Sequence, residues 1–246
     1  MHWSYFVYPL TLSLGLVLSA WAWERLPSAH TPPTAHQRHM IYLGALLGMV
    51  LGAKLAYLLA EGHADLLDPL LDVRSRALRL LQGKSVTGAL LGGYAGVELA
   101  KRKVGYPHAT GDSFALIAPF SLAVGRLGCL ASGCCLGVPM TPAPWTVRDQ
   151  NGIARWPAVP LELAFNLTFF AWVVLIAHHR RRSGTRLLQN QLFHVYLLTY
   201  GLFRGAHELL RDTPKLLGPI SGYQLVALGL IALGTHGFVR VQRSAA

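Results

Sequence analysis

Charge is scarce in this chain. Only 13% of its 246 residues are charged, against about a quarter in an ordinary soluble domain, so a water-facing surface of normal polarity is excluded. Acidic residues are scarcer still, eleven Asp and Glu against twenty-two Lys and Arg. Cysteine is nearly absent, and all three copies fall within 129–135. They form no C-x-x-C pair, lack a histidine cluster, and are too few for a disulfide framework, so the spacing matches no structural zinc site and they read as small packing residues. There is no basic n-region and no small-residue cleavage site ahead of the first apolar run, which therefore reads as a retained span. No internal repeat is evident, which argues against an inverted-repeat transporter, and no nucleic-acid motif accompanies the +11 net charge.

What is present is apolar. Hydrophobic residues make up 52% of the chain and the mean hydropathy is +0.38. Runs such as 4–23 and 40–60 have the roughly 20-residue length that crosses a hydrocarbon core. Hydropathy predicts an all-α polytopic membrane protein, one domain over 1–246, with seven spans near 4–23, 40–60, 86–100, 111–130, 159–177, 191–210 and 222–240. The dense basic runs KRK (101–103) and HHRRR (178–182) abut span ends and place those ends in the cytoplasm, with the N-terminus outside and the C-terminus inside. Leucines at helical intervals among Arg74, Arg76 and Arg79 suggest an amphipathic helix in the headgroup plane; a solvated loop helix fits the same pattern. The Pro- and Trp-containing segment 136–158 reads as an irregular cap over the outer surface.

Three cations sit inside predicted spans: Lys54, Arg126 and Arg204. Each costs about 2.5–3.5 kcal/mol at mid-helix without a partner. On the predicted topology all three lie roughly 6–9 Å below the outer boundary, the arrangement expected of an anion chamber open to the outer leaflet. In the sixth span, Tyr200, Arg204, His207, Glu208 and Arg211 fall within about 100° of one helix face. An Arg204–Glu208 pair could neutralise itself, but Arg126 and Lys54 have no acidic residue nearby in sequence. Two arginine forks facing one cavity suit phosphate oxygens, and the natural anion at that depth is a phospholipid headgroup.

The segment GRLGCLASGCCLG (125–137) resembles the signature of the prolipoprotein diacylglyceryl transferase family, G-R-x-G-N-F-x-N-G-E-x-x-G. Other pieces agree in order: SY (4–5), GAKLAYLL (52–59), TGALLGG (87–93), Asp112, RWPAVPLELAFN (155–166), YGLFRGAHELLR (200–211) and SGYQL (221–225). The resemblance implies transfer of the diacylglyceryl group of phosphatidylglycerol to the lipobox cysteine thiol of exported prolipoproteins, at the plasma (inner) membrane of a bacterium. It implies catalytic roles for Arg126 and Arg204, with Glu208 or His207 as candidate bases. It places Tyr5, Lys54, Thr87, Cys129, Cys134, Gly137 and Tyr200 in substrate binding. The family's usual histidine is Thr87 here, its signature Asn is Cys129 and its signature Glu is Cys134, so a divergent member with another acceptor, or one that only binds lipid, is the alternative; a transporter fits less well. A cysteine relay is disfavoured because a thioether would not pass its group on. No metal or organic cofactor is indicated.

Overall fold

The computed structural model describes residues 31–216 and 218–245. The first predicted span, 4–23, and Tyr5 within it lie outside the described residues.

Helix α1 (Ala35–Tyr57) starts five residues before the hydropathy does, because Thr34 and Gln37 form a reciprocal capping box that satisfies two orphan amides at the helix start. It runs on through a π turn, Leu58–Gly62. A short amphipathic helix, α2 (Val73–Gln82), is capped by Asp72. Then follow α3 (Val86–Lys103), capped by the Ser85 hydroxyl, and α4 (Gly111–Ser132), stopped by Gly133 at φ +60. A two-stranded hairpin, β1 (Val147–Arg148) and β2 (Ala154–Arg155), leads to α5 (Ala158–Ser183). The basic residues 180–182 therefore extend this helix instead of forming a loop. Helix α6 (Leu192–His207) tightens into a 3-10 turn, Glu208–Leu210, and α7 (Gly222–Ala245) ends the described chain.

Four of these stretches are long and apolar enough to cross a membrane: Ala35–Gly62, Gly111–Ser132, Ala158–Ser183 and Gly222–Arg243. Exposed Leu47, Val50, Leu51 and Leu55 on α1, Leu175 on α5 and Leu228 on α7 present the apolar outer surface that hydrocarbon requires. Helix α6 is only 16 residues, about 24 Å, and α3 ends in three basic residues.

Helices α1 and α3 meet through glycine. Gly44, Gly48 and Gly52 face Gly88, Gly92 and Gly96, at i, i+4, i+8 on both helices; a Cβ at Gly44 would lie 2.6 Å from the Gly96 carbonyl oxygen, and one at Gly92 2.8 Å from the Gly52 Cα. Backbone-to-backbone approach of this kind supplies dispersion contacts that larger side chains would forbid. The other half of the molecule packs around Tyr196, Leu197 and Tyr200 of α6 with Ala115, Val173 and Leu230.

One end of this half is pinned by Asp112 at the start of α4. It accepts from Arg180 Nη1 at 2.7 Å and from the backbone N–H groups of Asn190 and Leu192. That contact aligns α4 and α5 antiparallel and brings the C-terminal end of α4, the N-terminal end of α5 and the C-terminal end of α6 to the opposite end of the bundle.

Candidate functional site

At that opposite end Arg126 is buried, and it has a carboxylate partner. Arg126 Nη2 contacts Glu162 Oε1 at 2.5 Å. The expectation that Arg126 lacks an acidic neighbour is therefore corrected: Glu162 is 36 residues away, one helix on, where proximity in sequence gives no sign of it. Glu162 is held from two more sides, by the Tyr200 hydroxyl donating to Oε1 at 2.7 Å and by Arg211 Nη1 3.7 Å from Oε2. Its own carbonyl accepts from Asn166, whose Oδ1 accepts from Tyr196.

The cluster continues through Arg211. Its Nε lies 3.8 Å from Glu208 Oε2, and Glu208 pairs with Arg204 Nη2 at 2.7 Å. So the i, i+4 pair foreseen on α6 forms, but it is not self-contained. Arg126, Glu162, Arg211, Glu208 and Arg204 make one alternating row, all buried. Three guanidinium groups against two carboxylates leave one positive charge in excess. Thr213 donates to the remaining Glu208 oxygen at 2.6 Å.

Donors remain. Among the described residues, Nε and Nη1 of both Arg204 and Arg211 are buried without a hydrogen bond, as are both ring nitrogens of His207, which stacks on Phe203 at 4.9 Å. Buried N–H groups left unpaired cost about 1–3 kcal/mol each, more when charged. An arrangement that tolerates several is suited to accept oxygens from a ligand.

The other expected residues are distributed unevenly. Lys54 does not join the guanidinium groups: its ammonium donates to the carbonyls of Leu80, Leu81 and Gly83 at 2.5, 2.6 and 2.9 Å, closing the C-terminal end of α2. Its one positive charge meets helix carbonyls that lack intrahelical partners. Thr87 is buried, with its hydroxyl 2.9 Å from that of Ser85. Gly137 sits so close to Trp156 that a Cβ there would come 2.6 Å from the Trp156 Cβ, and it bridges to Arg211. This bridge ties segment 136–158 to the charge row, and Arg155 strengthens it through Asp149 (2.7 Å), Asp212 (2.9 Å) and the Gly137 carbonyl. The Arg155 guanidinium and the amides of Ile153 and Asn151 hold the Asp149 carboxyl below its usual range. Segment 136–158 thus contains a hairpin and ion-paired side chains where the sequence suggested only irregular loop.

The three cysteines converge. Their sulfur atoms lie within 4.8 Å of one another, because Gly133 turns the chain back at φ +60 and Cys135 follows at φ +61. Arg126 Nη1 donates to Cys129 Sγ at 3.5 Å. Hydrogen bonds from Cys129 and Cys134, aided by Arg126 and Arg211, pull the Cys135 thiol down, while Cys134 is pushed up by Cys129 and Cys135. All three line a half-open cavity of about 290 Å³ beneath the cap, with Gln150, Arg155 and Trp156 on its wall.

Residues 2–240 match the family model described as prolipoprotein diacylglyceryl transferase. The chain belongs to this family. Among curated relatives, one of Geobacter sulfurreducens is 30% identical over 80% of this chain and 75% of its own length. One of Bordetella bronchiseptica is 29% identical over 94% and 83%, and one of Rhizobium leguminosarum bv. trifolii 28% identical over 100% and 89%. All three carry the name phosphatidylglycerol–prolipoprotein diacylglyceryl transferase. Of the residues that build the charge row, Glu162 was missing from the sequence reading, and Arg211 stood on the polar stripe without an assigned role. The family pattern offered a signal for each, since Glu162 closes RWPAVPLE and Arg211 closes YGLFRGAHELLR.

Proposed function

We propose that this chain transfers the diacylglyceryl group of phosphatidylglycerol to the lipobox cysteine thiol of exported prolipoproteins, the activity its relatives' names describe. The observation that carries the reading is the buried row of three arginines and two glutamates with its unused N–H donors. A phosphodiester carries one negative charge and becomes a monoester with a second when the glyceryl C–O bond breaks. A site with one excess positive charge, unpartnered Nε and Nη1 groups on Arg204 and only long ionic contacts on Arg211 favours that developing charge over the ground state. In this reading Arg126 and Arg204 bind and stabilise the departing phosphate, joined by Arg211. Glu162 and Glu208 hold the forks in place, and Tyr200 orients Glu162. Both Glu208 oxygens face hydrogen-bond or ionic partners, whereas both His207 nitrogens are free of them, so His207 is the better placed base of the two.

The proposal includes seven spans, adding α3, α6 and 4–23 to the four apolar helices. It places the N-terminus outside and the C-terminus in the cytoplasm, in one domain of a bacterial inner membrane. The site then opens to the outer leaflet, with exposed Val73, Leu78 and Leu81 of α2 resting on the lipid surface. Tyr5 is assigned to headgroup binding on the family motif alone.

The test is complementation of a strain depleted of its own transferase, with mass spectrometry of a lipoprotein N-terminus. Gain of a diacylglyceryl mass is the expected result; an unmodified precursor despite stable expression contradicts it. A second reading, an acceptor other than a lipobox thiol, is favoured by Thr87, which offers no base where the family has histidine. Release of glycerol phosphate from phosphatidylglycerol without lipoprotein modification would point there.

A further inference from the structure

The cysteine cluster is not absorbed by the phosphate-binding row, and it occupies two positions where the family motif has Asn and Glu. Three observations bear on it. The sulfur atoms are within 4.8 Å of one another. Three thiolates on one zinc ion, with bonds of about 2.3 Å, need S···S separations of roughly 3.8 Å, which side-chain rotation of about 1 Å supplies. Cys135 is held in the left-handed region without being glycine, a conformation that surrounding structure must enforce. Finally, all three residues line the same half-open cavity, so an ion bound by them would be reachable from it.

We infer that Cys129, Cys134 and Cys135 form a three-thiolate site for Zn(II), and that its open fourth position, facing the cavity, takes the acceptor thiol. Three protein ligands with one open position is the arrangement of a working zinc ion, as opposed to a closed structural one. Softness of the donors selects a thiophilic metal. A zinc tris-thiolate would carry one negative charge, and it would adjoin the row through the Arg126–Cys129 hydrogen bond.

The inference rests on the transferase reading and adds to it, beside His207, a second means of deprotonating the acceptor where Thr87 replaces histidine. A thiol bound to zinc is held as thiolate. Its proton leaves through the half-open cavity, its sulfur forms the bond to the glyceryl carbon, and the C–O bond breaks with its electron pair passing to phosphate. The released glycerol phosphate takes up one proton, so no oxidant or reductant is required.

Full-length protein in detergent, treated with chelator and then supplied with Zn(II), tests the site without any reference to activity. One equivalent of zinc should be retained by the parent and lost from Cys129→Ser and Cys135→Ser. Cys134 is exposed, so Cys134→Ser keeps the fold and should lose zinc as well. Co(II) in place of zinc should show a thiolate charge-transfer band that strengthens when a lipobox peptide is added. Absence of stoichiometric zinc from the folded parent, or equal retention by Cys134→Ser, overturns the site. Transfer activity that is unchanged by zinc removal overturns the acceptor role while leaving the transferase reading intact. Zinc binding in a protein that never transfers would instead sink the transferase reading and with it the acceptor role.

Discussion

Replacing Glu162 by glutamine removes one charge from the middle of the buried row and leaves its shape. The carboxylate lies 2.5 Å from Arg126 and 3.7 Å from Arg211 and accepts from Tyr200 at 2.7 Å. Removing one partner of a buried ion pair costs about 3–5 kcal/mol, because the other charge stays buried. Glutamine keeps an acceptor oxygen for Tyr200 and Arg126, which puts the expected loss near the lower end, about 3 kcal/mol. For a chain of this size that is a fall in melting temperature of about 6–12 °C. Three guanidinium groups would then face one carboxylate, so an added anion should stabilise the variant more than the parent, by mass action on the folded state. Thermal unfolding of purified protein, with and without inorganic phosphate, reads both effects. A variant that melts within a degree or two of the parent and ignores phosphate would refute the idea that Glu162 holds these arginines against their own repulsion.

Other outcomes follow from single contacts. Arg126→Lys keeps the charge but loses the fork, and turnover of phosphatidylglycerol should fall about 10²–10³-fold; parent-like turnover would place the leaving group elsewhere. His207→Ala should lower transfer far more than Glu208→Gln lowers it, if the free ring nitrogens mark the base; activity assays on the pair decide, and a fully active His207→Ala removes the histidine from the chemistry. Gly92→Val must push α1 and α3 apart, since even a Cβ would come within 2.8 Å of the Gly52 Cα; a loss of about 1–3 kcal/mol should appear in thermal unfolding. Asp149 titrates below its usual range in the folded protein, so its contribution is present above about pH 4 and is lost as the pH falls through the lower, folded value. Hydrogen exchange at the Asn151 and Ile153 amides, which donate to Asp149, should accelerate over that acid window after correction for intrinsic rates. Unchanged protection would detach Asp149 from the cap.

Much of the frame was legible in the sequence, because a membrane core imposes one simple demand on it. The runs that became Ala35–Gly62, Gly111–Ser132, Ala158–Ser183 and Gly222–Arg243 were visible as hydropathy alone. Their ends were not, since Thr34 capping and the helical course of residues 180–182 depend on hydrogen bonds that an average over residues erases. The polar stripe that begins on α6 was readable from its spacing, and all five of its members, Tyr200, Arg204, His207, Glu208 and Arg211, are buried. The partner of Arg126 could not be read from spacing, because Glu162 lies on the next helix. Lys54 misled for the complementary reason: its expected depth matched that of the two arginines, but its ammonium reaches to the carbonyls at the end of α2. The convergence of the three cysteines could not be read from their spacing, because a helix end followed by a left-handed residue folds the chain back on itself.

The account turns on the arginine row meeting a phospholipid phosphate while a thiol takes the glyceryl carbon. Purified protein reconstituted into vesicles of phosphatidylglycerol, or of phosphatidylethanolamine as control, and supplied with a lipobox peptide measures this directly by peptide mass and released glycerol phosphate. The account predicts equal amounts of thioether-linked peptide and glycerol phosphate in the first vesicles, with both lost in Arg126→Gln and Arg204→Gln. Thioether formation that persists without those arginines would contradict it, as would phosphatidylglycerol consumption with no modified peptide.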